Sequence, residues 1–524
     1  MNIVRWLPYV VIAAGVLTPG LYLLIRALET DVDTISALVI RWRTVGLIGN
    51  TLALAASVLV FGTLIAFPLA WLSTRTTWDR RGVITLLGIA PLAIPGYITA
   101  YVWLSATGSR GVLFHVLGWQ VPQLHGWLGA TISLTLYTFP YLFLNIRTAL
   151  QGLNPSMEET AQTLGKTARE VLLRVTLPQL RPAFLSGGLV VFLHVLGDFG
   201  VVSLMRYETL SYALYLQYNA AFDRTYAAWI GLILLAITAL MLWVDARTLR
   251  RSIQARGRSG RYQRTLRTLS TRGKAGAGLF LVVVASVAVL IPIATMAFWG
   301  FQHLGDRFSD VLEALWSSAS VSGPAAALAV LLVLPVVYES SRYPSARSRT
   351  FERLSYFTYA TPPLAFALGV IFFALRLFPV WYQTVTLLVV AYALHFAAES
   401  MGPIRSALLQ TPRELEEAAT TLGRTRFQAF WGTTLPLIRP GLFTGFVFVF
   451  LACMKELPIT MLLAPPGFET LAMNVWMYTS EILFAKAAPY AFVLVMMSTV
   501  MTVLLYHQER ANRSLDGQLK GRRK

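Results

Sequence analysis

The chain has 524 residues, of which 56% are hydrophobic and only 13% are charged, and its mean hydropathy is +0.60. This composition excludes an ordinary soluble protein and predicts an integral membrane protein. The net charge of +19 would also suit a phosphate-binding surface. The position of the basic residues along the chain therefore decides between a nucleic-acid-binding protein and a membrane protein with a basic cytoplasmic side.

Long apolar runs predict the secondary structure. A helix needs roughly 20 apolar residues to cross a hydrocarbon layer of about 30 Å. Twelve runs of this kind begin near Trp6, Leu47, Val83, Leu128, Ala183, Ala227, Ala277, Leu315, Leu354, Thr384, Leu442 and Phe484. They predict an all-α membrane protein with about twelve transmembrane helices. The first run exceeds the core of a typical signal peptide, so we expect an uncleaved first helix.

Basic residues concentrate between the sixth and seventh runs. Ten Lys and Arg residues lie between Arg247 and Lys274, with no acidic residue among them. Since Lys and Arg accumulate on cytoplasmic loops, this linker predicts an orientation with both termini in the cytoplasm. A nucleic-acid partner is not expected. The predicted organisation is a six-span half at 1–246, a basic cytoplasmic linker at 247–276, a second six-span half at 277–507, and a basic tail at 508–524.

A long internal repeat supports this division. Residues 158–182 recur, with substitutions, as residues 416–440, and the alignment extends to Arg75 with Arg342 and to Asp198 with Glu456. Because each half has an even number of spans, both halves enter the membrane in the same orientation. They are therefore predicted to be parallel repeats with a substrate pathway between them.

The repeated segment is a polar loop between the fourth and fifth runs of each half, on the predicted cytoplasmic side. We name residues 155–178 the first elbow and residues 412–436 the second elbow. Acidic residues near the start of each favour a helix N-terminus, and Gly165 and Gly423 should interrupt that helix. Unconstrained loops diverge quickly, so two similar copies indicate a shared cytoplasmic partner.

The two elbows resemble the EAA signature of permeases from binding-protein-dependent ABC importers. The departures are Thr160 in the first copy and Thr433 in the second, and both leave the spacing intact. The resemblance implies a type I ABC importer permease fold, with each elbow acting as a coupling helix on an ATP-binding subunit. The coupling residues that it implies are Glu159, Ala161, Gly165, Glu417, Ala418, Ala419 and Gly423.

The cargo is suggested by a second resemblance. Residues 455–460 and 466–472, with the fused halves, are similar to the ferric iron permeases of this class. This implies a bacterial inner-membrane protein with two ATP-binding subunits and a periplasmic binding protein as partners. Fused permeases for thiamine or aminoethylphosphonate remain alternatives. A secondary transporter with twelve spans in parallel repeats is another, and it would need no ATPase.

Motifs for chemistry are few. The segment 164–167 imitates the end of a phosphate-binding loop, but Thr160 stands where that loop needs its first glycine. We therefore expect no cofactor on this chain, with ATP and Mg²⁺ bound by partner subunits. The six histidines are scattered and Cys453 is the single cysteine, so neither an enzyme nor a firm metal site is predicted.

Asp198 and Glu456 are the most informative acids in the apolar runs. Each lies sixteen residues after Pro182 or Pro440, about 24 Å along its helix. Such groups usually line a watery cavity or have a partner. They are candidates for the translocation pathway, where carboxylates would suit transient contact with a hard trivalent cation. Alternatively, Glu456 pairs with Lys455, and Asp198 caps a helix or binds the adjacent loop.

The tyrosines that follow Asp198 could be iron ligands or part of an aromatic belt, and we favour the belt. Phenolate can bind ferric iron, but an aromatic belt at the membrane interface accounts for the same side chains. His194 lies one turn before Asp198, and we interpret it as a core histidine and not as a ligand. The tyrosines concerned are Tyr207, Tyr212, Tyr215 and Tyr218.

Overall fold

The computed structural model describes residues 2–29, 41–78, 82–109, 111–221, 223–253, 268–303, 308–345 and 357–521, together with residues 350 and 354. In this part of the chain the structure is almost entirely helical, with no β-strand. The predicted all-α class is therefore confirmed. Residues 254–267 of the basic linker and 522–524 of the tail lie outside the described residues.

The helices of the first half follow the predicted apolar runs, with short helices between them. In chain order they are α1 (Asn2–Leu28), α2 (Trp42–Arg75), α3 (Val83–Ile89), α4 (Gly96–Ala106), α5 (Val112–Leu117), α6 (Gly126–Gly152), α7 (Pro155–Thr163), α8 (Ala168–Val171), α9 (Leu177–Gly197), α10 (Gly200–Leu204), α11 (Leu210–Asn219) and α12 (Arg224–Ile253).

The second half repeats this order from α15 onward. Its helices are α13 (Thr271–Ala285), α14 (Ile291–His303), α15 (Phe308–Arg342), α16 (Pro363–Leu377), α17 (Val385–Gln410), α18 (Glu414–Thr421), α19 (Arg426–Ala429), α20 (Leu435–Met454), α21 (Pro458–Leu463), α22 (Leu471–Ser480) and α23 (Phe484–Gly521). One turn of π-helix joins α13 to α14 at Ser286–Leu290.

By length and composition, ten helices in the described residues are apolar enough to cross a membrane. An eleventh crossing is obtained if α3 and α4 count as one span, although they are bent by 93° where they meet. Pro91 and Pro95 explain the break, because proline removes a backbone donor and obstructs the preceding turn. The remaining predicted span is the ninth in chain order, expected near Leu354, and it holds α16, which has 15 residues.

Close helix packing depends on small residues at matched positions. In the first half, a Cβ at Gly187 of α9 would lie 3.3 Å from the Leu142 Cα of α6. In the second half, a Cβ at Gly445 of α20 would lie 3.1 Å from the Ser400 Cβ of α17. Small residues let membrane helices approach closely, since apolar side chains gain little by leaving lipid for protein.

The contacts divide the chain into two compact units that exchange their first helices. The first-half unit contains Asp31–Gln302 and Thr479–Ala485, and the second-half unit contains Met1–Thr30, His303–Tyr478 and Lys486–Lys524. Within the second-half unit, α1 packs on α15, α16 and α17. Tyr9 of α1 is buried in a core with Val333 and Met401. The Tyr9 hydroxyl donates a hydrogen bond of 2.6 Å to Glu339.

This packing differs from the linear order of the halves. The boundaries 1–246 and 277–507 remain a prediction about the sequence repeat, whereas α1 packs with elements that begin after residue 303. In the same way α13 and α14, which begin the second half of the sequence, belong up to residue 302 to the first-half unit. Within that unit the ring of Phe298 lies 6.1 Å from that of His115. An apolar helix can pack equally well on either half, so its pattern alone does not select the neighbour.

Candidate functional site

The first elbow is a helix, a glycine turn and a second short helix, as the sequence predicts. Asn154 caps α7 by accepting a hydrogen bond of 3.1 Å from the Ser156 backbone N–H. Gly165 follows the end of α7 and has φ = +79°, a left-handed conformation that favours glycine. Thr167 and Glu170 then form a reciprocal capping box at the start of α8. Hydrogen bonds from Thr167 hold the pKa of the exposed Glu170 carboxyl below its ordinary value.

The second elbow has the same construction. Helix α18 ends at Thr421, and Gly423 has φ = +87°. Thr425 and Gln428 form the capping box of α19, so Gln428 takes the role that Glu170 has in the first copy. In both elbows one turn of π-helix, at Leu172–Thr176 and Phe430–Thr434, leads into the following span. The two copies therefore agree in backbone conformation as well as in sequence.

A buried carboxylate fixes the first elbow to the preceding long helix. Glu158 in α7 accepts hydrogen bonds of 2.9 and 2.8 Å from the two terminal nitrogens of Arg75, the last residue of α2. Thr176 donates a third hydrogen bond of 3.0 Å to the same carboxylate. The Arg75 guanidinium also lies 5.7 Å from the Trp71 ring centroid. Glu158 therefore joins α2, the elbow helix and the π-helical turn.

The second elbow has an equivalent carboxylate with different partners. Glu416 in α18 is buried, and its Oε2 lies 3.7 Å from the Nε of Arg342, the last residue of α15. The Tyr338 hydroxyl, one turn earlier, donates a hydrogen bond of 2.5 Å to Glu416. Arg342 itself donates a hydrogen bond of 3.0 Å to the backbone oxygen of Thr411, at the end of α17. Glu416 is thus held mainly by the hydrogen bond from Tyr338, and its contact with Arg342 is longer than that of Glu158 with Arg75.

The predicted coupling acids lie on the outside of the elbows. Glu159 and Glu417 are both exposed, and Glu417 forms an exposed ion pair of 3.0 Å with Arg413. Of the predicted alanines, Ala418 is exposed, Ala161 is half-buried and Ala419 is buried. Glu158 and Glu416 are not among the coupling residues predicted from the sequence. Their recurrence in the repeat, together with that of Arg75 and Arg342, was the available signal.

Each elbow also presents large apolar side chains to solvent. Leu164, just before Gly165, is 76% exposed, and its counterpart Leu422 is 85% exposed. Met157 and Leu415 form a second matched and exposed pair, each seven residues before its leucine. A polar loop with matched exposed leucines has the character of a docking surface, because clustered exposed apolar groups mark interaction sites.

Asp198 and Glu456 both stabilise short helices. The Asp198 carboxylate accepts hydrogen bonds of 2.9 and 3.3 Å from the backbone N–H groups of Val201 and Val202 in α10. The Glu456 carboxylate accepts one of 2.9 Å from the backbone N–H of Ile459 in α21. Both acids are half-buried, Asp198 in the first-half unit and Glu456 in the second-half unit. The capping alternative is therefore present in the structure, and a pathway role remains a prediction.

A pairing of Glu456 with Lys455 remains an alternative, and Lys455 also has a second acidic neighbour. Glu399, a residue of α17, interacts electrostatically with Lys455 and also forms a hydrogen bond with Tyr359. Glu399 was not singled out from the sequence, although it is an ionisable residue within an apolar run. Its counterpart in the repeat is Tyr141, so this charged cluster belongs to the second half alone.

The histidine and tyrosine side chains have structural partners. His194 makes a hydrogen bond of 2.8 Å through Nδ1 with the Val190 carbonyl, and its ring lies 4.6 Å from that of Tyr141. The ring of Tyr215 lies 4.5 Å from that of Phe199, and the Tyr207 hydroxyl donates to the Asn50 carbonyl at 3.4 Å. In the described ranges, no group of three His, Cys, Asp or Glu residues is arranged to hold a metal ion.

Three relatives with known names are similar to this chain. The Fe(3+)-transport system permease protein FbpB 2 of Haemophilus influenzae is 30% identical over 95% of this chain and 97% of its own length. The molybdenum transport system permease protein ModB of the same organism is 30% identical, over 38% of this chain and 93% of its own. The sulfate transport system permease protein CysT of Salmonella typhimurium is 27% identical, over 37% of this chain and 72% of its own.

The family of the chain follows from a model that matches it twice. The model for the binding-protein-dependent transport system inner membrane component matches residues 59–254 and again residues 332–514. Each match contains one elbow, one buried carboxylate and one of the capping acids. The chain is therefore a fused pair of permease modules, and it belongs to the family of binding-protein-dependent transport system inner membrane components.

Proposed function

We propose that this chain is the permease of an ATP-driven importer whose cargo is ferric iron delivered by a periplasmic binding protein. The observation that carries the cargo assignment is the similarity to the Fe(3+) permease over 95% of this chain. The molybdenum and sulfate relatives cover only 38% and 37% of it. The fused arrangement is therefore shared with the iron relative over nearly the full length.

Two ATP-binding subunits dock on the two elbows in this proposal, and ATP and Mg²⁺ bind to those subunits. The matched leucines, Leu164 and Leu422, support a docking role because both side chains are largely exposed. Glu159 and Glu417 would contact the partner from the exposed side of each elbow. Gly165 and Gly423 would set the direction of the chain where it leaves the contact.

The orientation completes the proposal. Both termini and the basic linker lie in the cytoplasm, because ten basic residues and no acid lie between Arg247 and Lys274. Both elbows then lie on the cytoplasmic side and the binding protein meets the opposite side. Asp198 and Glu456 contribute to the pathway through the short helices α10 and α21, whose positions their carboxylates maintain.

Reconstitution tests the cargo and the energy source together. Proteoliposomes that contain the chain, its ATP-binding subunits and its binding protein should take up labelled ferric iron only when ATP is present. Excess thiamine, aminoethylphosphonate, molybdate or sulfate should not compete. Uptake driven by an ion gradient in liposomes without the ATPase would instead identify a secondary transporter, and competition by thiamine or the phosphonate would reassign the cargo.

A further inference from the structure

The two buried carboxylates connect the elbows to helices that cross the membrane. We name Arg75, Glu158 and Thr176 the first joint. Arg75 ends the 34-residue helix α2, and Thr176 ends the π-helical turn that leads into α9. The side chains of Arg75 and Glu158 are each only 10% exposed, so the joint is screened from solvent. A displacement of α7 must therefore move the end of α2 or break a buried ion pair.

The second joint, formed by Arg342, Glu416 and Tyr338, repeats this connection. Arg342 ends the 35-residue helix α15, and Tyr338 lies one turn earlier on that helix. The carboxylate belongs to the fourth residue of the first elbow and to the fifth residue of the second. The arginine again ends the second predicted span of its half. The recurrence in two modules with different surrounding residues indicates a shared requirement for the connection.

We propose that these two joints are the positioning groups that convert movement of the elbows into movement of the spans. This inference rests on the proposed docking of ATP-binding subunits on the elbows. Docking would depend on the exposed side of each elbow, with Glu159 and Leu164 in the first copy. Transmission would depend on the buried side, where Glu158 holds Arg75 at the end of α2.

Burial explains why the joint can transmit force in this way. A buried ion pair contributes little net stability, but the loss of one partner leaves an uncompensated charge that the surrounding structure must avoid. The bidentate geometry of Arg75 with Glu158 also fixes the angle between their planar groups. The elbow and the end of α2 are therefore constrained to move together.

The test separates docking from transmission in the reconstituted complex of permease, ATP-binding subunits and binding protein. The central variant is Glu158→Gln, which keeps the shape of the side chain and removes its charge. Glu170→Gln is the matched control in the same elbow, because the second elbow already uses Gln428 in that capping role. Three quantities are measured: retention of the ATP-binding subunit, ATP hydrolysis, and ferric iron taken up per ATP hydrolysed.

We expect Glu158→Gln to retain the ATPase and its hydrolysis while uptake per ATP falls about tenfold, within the range typical of coupling between two sites. Arg75→Lys should give an intermediate ratio, because it keeps the charge but loses the paired donors. Glu170→Gln should match the parent chain. If Glu158→Gln does not accumulate, Thr176→Val removes one donor to the same carboxylate and should lower the ratio in the same direction.

An unchanged ratio of uptake to ATP in Glu158→Gln would overturn the inference. So would a loss confined to the amount of folded protein, because a merely structural joint would leave the ratio unaffected. Failure of the parent chain to retain any ATPase would have a different meaning. It would refute the proposed function, and the inference with it.

Discussion

The exposed leucine of the second elbow provides a quantitative test of docking. Leu422→Ala removes three carbon atoms, each worth about 0.8 kcal/mol when it leaves water. Because Leu422 is 85% exposed in this structure, nearly all of that free energy remains available to a partner, about 2 kcal/mol. This corresponds to roughly a 30-fold loss of affinity for the ATP-binding subunit. The change removes no contact from a buried core, so the melting temperature should stay the same.

The affinity of the purified ATP-binding subunit for the permease in lipid nanodiscs measures this effect. Val380→Ala is the matched control, since Val380 is also 85% exposed but lies in the loop between α16 and α17, far from the elbow in sequence. Leu164→Ala should weaken binding in the same direction as Leu422→Ala. Unchanged affinity in both leucine variants would refute the assignment of the elbows as docking surfaces.

Three further predictions concern local conformation and charge. Gly423→Ala should destabilise the second elbow by about 1–2 kcal/mol because alanine is unfavourable at φ = +87°. Hydrogen exchange over residues 414–434 should therefore accelerate, and it should accelerate less in Gly423→Asn. Equal exchange in the parent chain and both variants would contradict this. The first capping box is stable above the ordinary pKa of a glutamate and is lost as pH falls through the lowered pKa of Glu170. Hydrogen exchange of residues 167–171, corrected for its intrinsic rate, should therefore accelerate below about pH 4, and Glu170→Gln should abolish that dependence. Asp198→Asn should keep the melting temperature, because asparagine caps as well as aspartate, while uptake falls with the lost charge; wild-type uptake would remove Asp198 from the pathway.

Much of the elbow could be predicted from the sequence because its determinants are local. Gly165 and Gly423 are needed where the backbone takes a left-handed conformation, and the acids and prolines that precede them are typical of helix starts. The all-α class followed equally directly from the apolar runs. These features depend on residues only a few positions apart, so a single sequence contains the information.

The joints could not be predicted because their partners are distant along the chain. Arg75 and Glu158 are separated by 83 positions, and nothing in a helical pattern indicates which of the adjacent acids, Glu158 or Glu159, turns inward. The sequence left two roles open for Asp198, and its hydrogen bonds to α10 show that it acts as a cap. The sequence analysis predicted one continuous span from Val83, and the bend between α3 and α4 at Pro91 and Pro95 was not predicted because a hydropathy run does not reveal direction.

The exchange of first helices has a consequence for biosynthesis. Helix α1 is made before its packing partners α15, α16 and α17, the last of which ends at Gln410, some 380 residues later. At about 5–20 residues per second, translation of that interval takes roughly 20–75 s. During this time α1 is in the membrane without its native neighbours. The nascent protein thus has a defined period in which membrane chaperones and proteases can act, and a ribosome that stalls before residue 303 leaves a fragment without α15, α16 and α17, the helices on which α1 packs.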